Sequence, residues 1–422
     1  MALTIKLAKR AQILVAASVA VGAGFAADVA IAQDPQRGVP VAERPRPDYD
    51  AVGIRAGSFL FLPELSISET YNDNIFARQA NTDHDLITKV LPKVSLESDW
   101  NNHALNLTAG ADIGRNLRSS KEKYEDYNFA ADGRVDIRRD TSVSASVNYE
   151  QLHEDRGSPD DVGGITPTEY TKLSSDVGFR NKWNRVALEV GLGTEMYDYD
   201  DVARTGGITN NDDRDRDHYT LSTRLGYEIV PEYEGFVKAS YNTIDYDAGT
   251  DDNGLNRDSD GYEVAVGTRL DLSGVLSGDV FAGYRSQDYD DAALETISGP
   301  VVGASLTWNV TALTTIKGSV SRTILETTQA GSSGFFNTRV GASVDHELRR
   351  NLLVGADVAG TNQKYRGNGR DDNQYDLGAY AKYLLNRHLY VSAEYDFLRK
   401  NSNAAGSSYS QNIFMVKLTT QY

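Results

Sequence analysis

From Ser58 onward apolar and polar side chains alternate along the chain, and runs of turn-forming residues interrupt the alternation at regular intervals. In "TSVSASVNYEQLH", Val143, Ala145, Val147 and Tyr149 share one face while Ser142, Ser144, Ser146, Asn148 and Glu150 share the other. Residues two apart in an extended chain point the same way, so this period predicts strands with one apolar and one polar side. The pattern returns in "YEVAVGTRLDL" and "HLYVSAEYDF".

The interruptions alternate in kind. One set is tight: "WNNH" at Trp100, "RRDT" at Arg138, "KWNR" at Lys182, "VPEYE" at Val230, "LSGVLSGD" at Leu272, "WNVTA" at Trp308, "ELRRN" at Glu347 and "LNRH" at Leu385. The other set is longer and acidic, as in "EDRGSPDDVGGITPTE" and "DDVARTGGITNNDDRDRD". Short turns on one rim and long loops on the other are the habit of bacterial outer-membrane barrels, with the short turns in the periplasm. Counting segments between breaks predicts an all-β fold, a transmembrane antiparallel up-and-down barrel of about 18 strands, 16 being the alternative, over residues 58–422.

Composition fits that picture. Hydrophobic residues make up 40% of the chain, below the ~45–50% of ordinary globular domains, as a wall greasy outside and wet inside requires. With no cysteine among 422 residues, neither disulfides nor thiolate metal sites are available. A net charge of -17 argues against nucleic acid, whose phosphates call for Lys and Arg.

Residues 1–32 have a basic start, an apolar middle and a small-residue cleavage pattern, the layout of a secretory signal peptide. Residues 33–57 contain four prolines and no periodicity, and are expected to form a periplasmic arm able to dock a periplasmic export component. They are too few for the folded plug of an iron-siderophore receptor.

Three groups of residues are candidates for function. Trp100, Trp183 and Trp308 all flank short turns and predict a periplasmic aromatic girdle. Phe414, Val416, Leu418 and Tyr422 share one face of the last segment, similar to the signal read by the barrel assembly machinery. Alternation turns a third group inward, to line the lumen: Asp132, Arg134, Asp136, Asp176, Arg180, Arg224, Glu228, Glu263, Arg269, Arg285, Arg339, Asp345, Asp376, Lys382, Glu394 and Asp396.

Tyr meets Asp repeatedly at the long-loop ends, in "ETYNDNIF", "MYDYDDVA", "IDYDAGTDD", "QDYDDAAL" and "NQYDLG". Copies around a rim speak against catalysis and for an outer tyrosine girdle at headgroup depth. The acids above it would either contact lipopolysaccharide through divalent cations or simply solvate the loops; the clusters "DRDRD" and "DNGLNRDSDG" lack the spacing of a calcium loop and read as solvation. None of His84, His103, His153, His218, His346 and His388 has the helical pairing of a zinc site, and no catalytic residue, metal or cofactor is expected.

The stretch "RPRPDYDAVGIRAGSFLFLPELSISETYNDNIF", Arg44 to Phe76, resembles the opening of the putative β-barrel porin 2 family, with its proline-rich lead, Gly-x-Phe strand and a motif here formed by Tyr71, Asp73, Asn74, Ile75 and Phe76. The resemblance implies residence in the outer membrane of a Gram-negative bacterium, contact with its lipids and lipopolysaccharide, and a conduit for exopolysaccharide or capsule export. The alternatives are a general diffusion porin for small solutes, a barrel hydrolase or acyltransferase, or a structural surface anchor.

Overall fold

The computed structural model describes residues 38–422; the expected signal peptide lies outside them. Eighteen long antiparallel strands, from Phe59–Asn72 to Tyr409–Gln421, form one sheet in sequence order. The ring closes where the first strand pairs with the last, from Glu64 opposite Gln421 to Asn72 opposite Ile413. Closure joins the two terminal edges of the sheet, which is why strands can cross lipid at all. The count agrees with the sequence expectation, and all eight predicted tight turns fall between consecutive strands.

Those turns are built in recurring ways. His103, Asn184, Glu232 and Ser273 adopt left-handed backbone conformations there. The register slips by one residue at Asp136/Arg138, Glu228/Val230, Asn309/Thr311, Glu347/Arg349 and Leu384/Asn386, each beside a short turn, as a bulge does to raise local twist and tighten a hairpin.

Burial is inverted relative to a soluble protein. Val147, Tyr149, Leu221, Leu225, Val264, Val266, Val340, Val358 and Leu377 are exposed on the outside, whereas Glu263, Ser68 and Ser392 on the opposite face are buried. The outer row is therefore the lipid face and the inner row a polar lumen. Trp100, Trp183 and Trp308 are exposed beside short turns, with relative exposures of 41%, 55% and 47%. Phe414, Val416, Leu418 and Tyr422 also face outward.

The "YNDN" stretch joins the two ends of the sheet. Tyr71 stands opposite Phe414. The Asp73 carboxylate accepts from the Asn412 backbone N–H at 2.7 Å and from its side-chain amide at 2.6 Å. Asn74, fully buried, donates to the carbonyls of Arg78 at 2.8 Å and Ser410 at 3.0 Å. Ile75 is buried beneath this knot, and Arg78 sits 4.4 Å over the Phe76 ring. A buried amide and a half-buried acid, both with partners supplied, fix one register, so these residues clasp the first strand to the last.

Candidate pore and its two mouths

Alternation inside each strand, together with the cross-strand register, places all sixteen expected lumen residues on the inward face. Many pair across strands. Arg224 meets Glu234 at 2.8 Å and Asp279 at 3.7 Å; Arg269 meets Asp279 at 2.9 Å; Glu263 is held between Lys238 at 2.6 Å and Arg285 at 2.7 Å. Lys182 pairs with Glu228, Arg180 with Glu189, Arg339 with Asp376, and Arg134 with Asp136 on its own strand. Tyr380 donates to Asp345 at 2.6 Å, and Lys382 rests 3.9 Å over the Tyr390 ring.

Several cations are stacked on rings that in turn lie on glycines. Arg224 sits 3.8 Å over Phe236 and Lys238 3.4 Å over Phe281, while any Cβ on Gly267 or Gly303 would collide with those rings. Glycine lets the ring lie flat on the wall, and the ring fixes a long flexible side chain in place. On the other side of the bore acids prevail. Asp357, Glu394 and Asp396 line a cavity of about 340 Å³ with Lys382 and Lys417, and neither Asp357 nor Asp396 has an ion-pair partner among the described residues. A lumen with one rigidly paired wall and one acid-rich wall carries a transverse field.

At the periplasmic mouth the proline-rich segment does not reach away from the barrel. It runs along the inner rim: Gly38 abuts Gly274, the buried Val41 donates its N–H to Thr315 Oγ1 at 2.9 Å, and Gln421 donates to the Tyr49 carbonyl at 3.0 Å. Arg44 donates to the Ala312 carbonyl. Arg46, only 3% exposed, bridges Glu347 at 2.8 Å and the Val41 carbonyl at 2.8 Å. Ile54–Ala56 then pairs with the start of the first barrel strand through the left-handed Gly57. Proline suits such a path because it needs no ladder partner for a missing N–H.

The extracellular mouth is filled from the opposite direction. The loop between Thr141–His153 and Glu169–Trp183 folds into the bore rather than outward. Arg156 pairs with Glu122 at 2.6 Å, and Glu154 with Arg214 at 2.7 Å, each side chain at most 9% exposed. Farther along, the Gly157 carbonyl accepts from Lys400, Asp160 from the Thr327 hydroxyl, and the Pro159 carbonyl from Gln329. These contacts reach strands and loops on the far side of the ring.

The loop Thr327 belongs to is itself anchored by Arg257, 1% exposed, which donates to the carbonyls of Thr327 at 2.6 Å and Ser332 at 3.0 Å while pairing with Asp251 at 2.7 Å. Burial pushes the Asp160 carboxyl above its usual range. Burial, reinforced by neighbouring Asp198, Asp212 and Asp247, pushes Asp215 up to about 7.

Two sequence expectations do not hold at this mouth. Of the tyrosines beside aspartates, Tyr71 and Tyr375 face outward, but Tyr197, Tyr246 and Tyr289 point into the mouth: Arg216 lies 4.4 Å over Tyr197, Tyr246 is buried, and Tyr289 donates to Glu326 at 3.1 Å. On three consecutive strands the outward tyrosines are Tyr241, Tyr262 and Tyr284, and a residue five positions from a lipid-facing one in a strand faces the other way. The clusters "DRDRD" and "DNGLNRDSDG" are not mere solvation either, since Arg214, Asp215 and Arg257, and Asp251 just before the second cluster, are buried. Their partners lie up to 75 residues away, beyond the reach of local pattern.

The sequence profile of the family described as Putative beta-barrel porin 2 matches residues 46–422. No curated protein is significantly similar in sequence. Among solved structures, the chain is similar to Pseudomonas aeruginosa OpdK crystallised with vanillate, at 11% identity, covering 86% of this chain and 99% of that one with a TM-score of 0.44. It is similar to Pseudomonas aeruginosa OpdL at 14% identity, covering 87% and 99%, TM-score 0.44. The ferric citrate transporter FecA, unliganded, matches at 10% identity over 82% of this chain and 60% of that one, TM-score 0.45.

Proposed function

The chain belongs to the Putative beta-barrel porin 2 family and is a porin-like channel of the outer membrane; we propose that it is a passive, non-enzymatic diffusion porin for small hydrophilic solutes, with a preference for cations. The observation that carries this reading is the pair of narrowed mouths around a charged lumen. A segment anchored by Arg46 lines one mouth, and a loop anchored by Glu154 and Asp160 crosses the other. Such a bore suits molecules of sugar or amino-acid size. The preference for cations is supported by the acid-rich wall at Asp357, Glu394 and Asp396 and by the acidic loops above it, which raise the local concentration of positive ions.

Export of exopolysaccharide, expected from the family resemblance, gains no support, since a polymer would need both mouths cleared. Liposomes containing the purified protein should swell in monosaccharides and amino acids but not in long oligosaccharides. Swelling that does not depend on solute size would refute the narrowed bore, and none with any solute would refute the channel.

A further inference from the structure

The barrel wall is not continuous. Ile297–Thr311 and Thr314–Glu326 pair from Thr311 opposite Thr314 only as far as Gly303 opposite Ser321. Above that point residues 298–302 remain paired to the preceding strand and residues 322–326 to the following one, but not to each other. Pro300 lies in the middle of this seam, where its missing N–H leaves one donor fewer without a partner.

At the seam the second strand tucks inside the first. Below it, Val340 faces lipid, 53% exposed. Above it, the same side of the Thr314–Glu326 and Gly334–Arg349 pair turns against the inner surface of the neighbouring wall: the Phe336 ring lies against Gly299, and the Glu326 carboxylate accepts from Tyr289 in the bore. One continuous surface therefore leads from lipid to lumen. Over the top, Arg366 and Glu295 form an ion pair at 2.8 Å that rejoins the rim. The level is interfacial, since Tyr284 stands opposite Pro300 and faces outward. An open strand edge is excluded from hydrocarbon but tolerated there.

The lining has a head and a tail. Val301, Ile324 and Phe336 are apolar on its facing surfaces, and Pro300 and Val302 form the outward lip of the same edge. Arg322 stands among them with its guanidinium 4.2 Å over Phe336 and a hydrogen bond to Thr338 Oγ1 at 3.3 Å. It has no acidic partner among the described residues, and its buried Nε has no hydrogen-bond partner. Most other cations at the mouth are paired, so a guanidinium left with spare donors beside an apolar cleft is a receptor for an anion carrying a hydrocarbon tail.

We infer that the seam is a lateral binding site for an amphipathic anion, its carboxylate or phosphate on Arg322 and its tail between the two strand edges, so that the barrel exchanges such molecules between lumen and outer leaflet as well as passing small solutes end to end. The inference does not depend on which hydrophilic solutes the porin carries.

The test is calorimetric titration of the detergent-solubilised protein with dodecanoate. Saturable binding is expected, at least tenfold weaker in Arg322→Met and unchanged in Arg115→Met, an exposed arginine near the same rim, on the strand Ala104–Asn116, that is already paired with Glu125; heat-modifiable gel migration verifies that both variants fold. Acetate should not compete, and dodecyltrimethylammonium should not bind. Mass spectrometry of the protein as purified separates the two sources of the anion: a phosphorylated lipid retained by the parent and lost in Arg322→Met assigns the site to a headgroup, and binding of added dodecanoate alone assigns it to a diffusing amphiphile. Neither lipid nor dodecanoate bound, equal binding by Arg322→Met, or equal binding of the cationic amphiphile would overturn the inference.

Discussion

The two mouths of the barrel are narrowed by different means. On the periplasmic side the turns between strands are short and bulged, and the obstruction is one strip of chain preceding the first strand, held through Val41, Arg44, Arg46 and Tyr49. On the extracellular side the strand connections themselves fold inward, and Arg156, Arg214, Arg257, Arg370 and Lys400 tie loop to loop or loop to strand. One strip can leave without disturbing the wall. A web of buried ion pairs shared by several loops moves only as a unit. The periplasmic constriction should therefore be removable, and the extracellular one cooperative.

The comparison breaks most sharply at Arg257. Its replacement by Met leaves Asp251 and two carbonyls buried without their partner, a loss of about 3–5 kcal/mol for a buried pair. Limited proteolysis should then cut at loops 247–258 and 327–333 together, and single-channel current should become noisy. Cleavage at one loop alone would show that the loops are independent.

Arg46→Met comes next. Glu347 keeps Arg350 nearby at 4.0 Å, itself 48% exposed, so the loss should fall toward the lower end of the same range. The expected result is a higher, quiet conductance and protease access to residues 38–52, with no change in the extracellular loops.

A smaller effect follows pH. Asp215 takes up a proton in the folded loops at about pH 7 rather than near 3.8, so the folded state binds more protons between those values. Stability of the loop web falls as pH rises through that window and is level above it. Current noise should increase from pH 5 to pH 8, and Asp215→Asn should flatten the profile while the periplasmic strip remains insensitive. The smallest effect belongs to the exposed pair Arg55–Asp99, with side chains 63% and 60% exposed; Arg55→Ala should change thermal stability by less than about 0.5 kcal/mol.

The wall was legible in the sequence because it is local. Alternation in "TSVSASVNYEQLH" needs no partner to be read, and it places Asp176, Arg224 and Glu394 inward as directly as it places Val147 and Leu418 outward. The direction of Tyr197 was legible too, by counting five residues from Leu192 on the lipid face. What could not be read are contacts that depend on which loops meet: Glu154 with Arg214, Asp160 with Thr327, and Arg46 with Glu347, separated by 60, 167 and 301 residues. "YNDN" lies between these cases. Its pattern marked a boundary, but its partners Ser410 and Asn412 exist only once the ring has closed.

The bore is filled with water and its charges face inward, with acids in excess along one wall. The most direct measurement is the reversal potential of single channels in a planar bilayer under a KCl gradient, for the parent and for a chain lacking residues 38–52. Discrete channels with cation preference are expected, with a larger conductance and the same preference after the deletion. Anion preference would contradict the charge assignment, and the absence of channels from both proteins would contradict the bore itself.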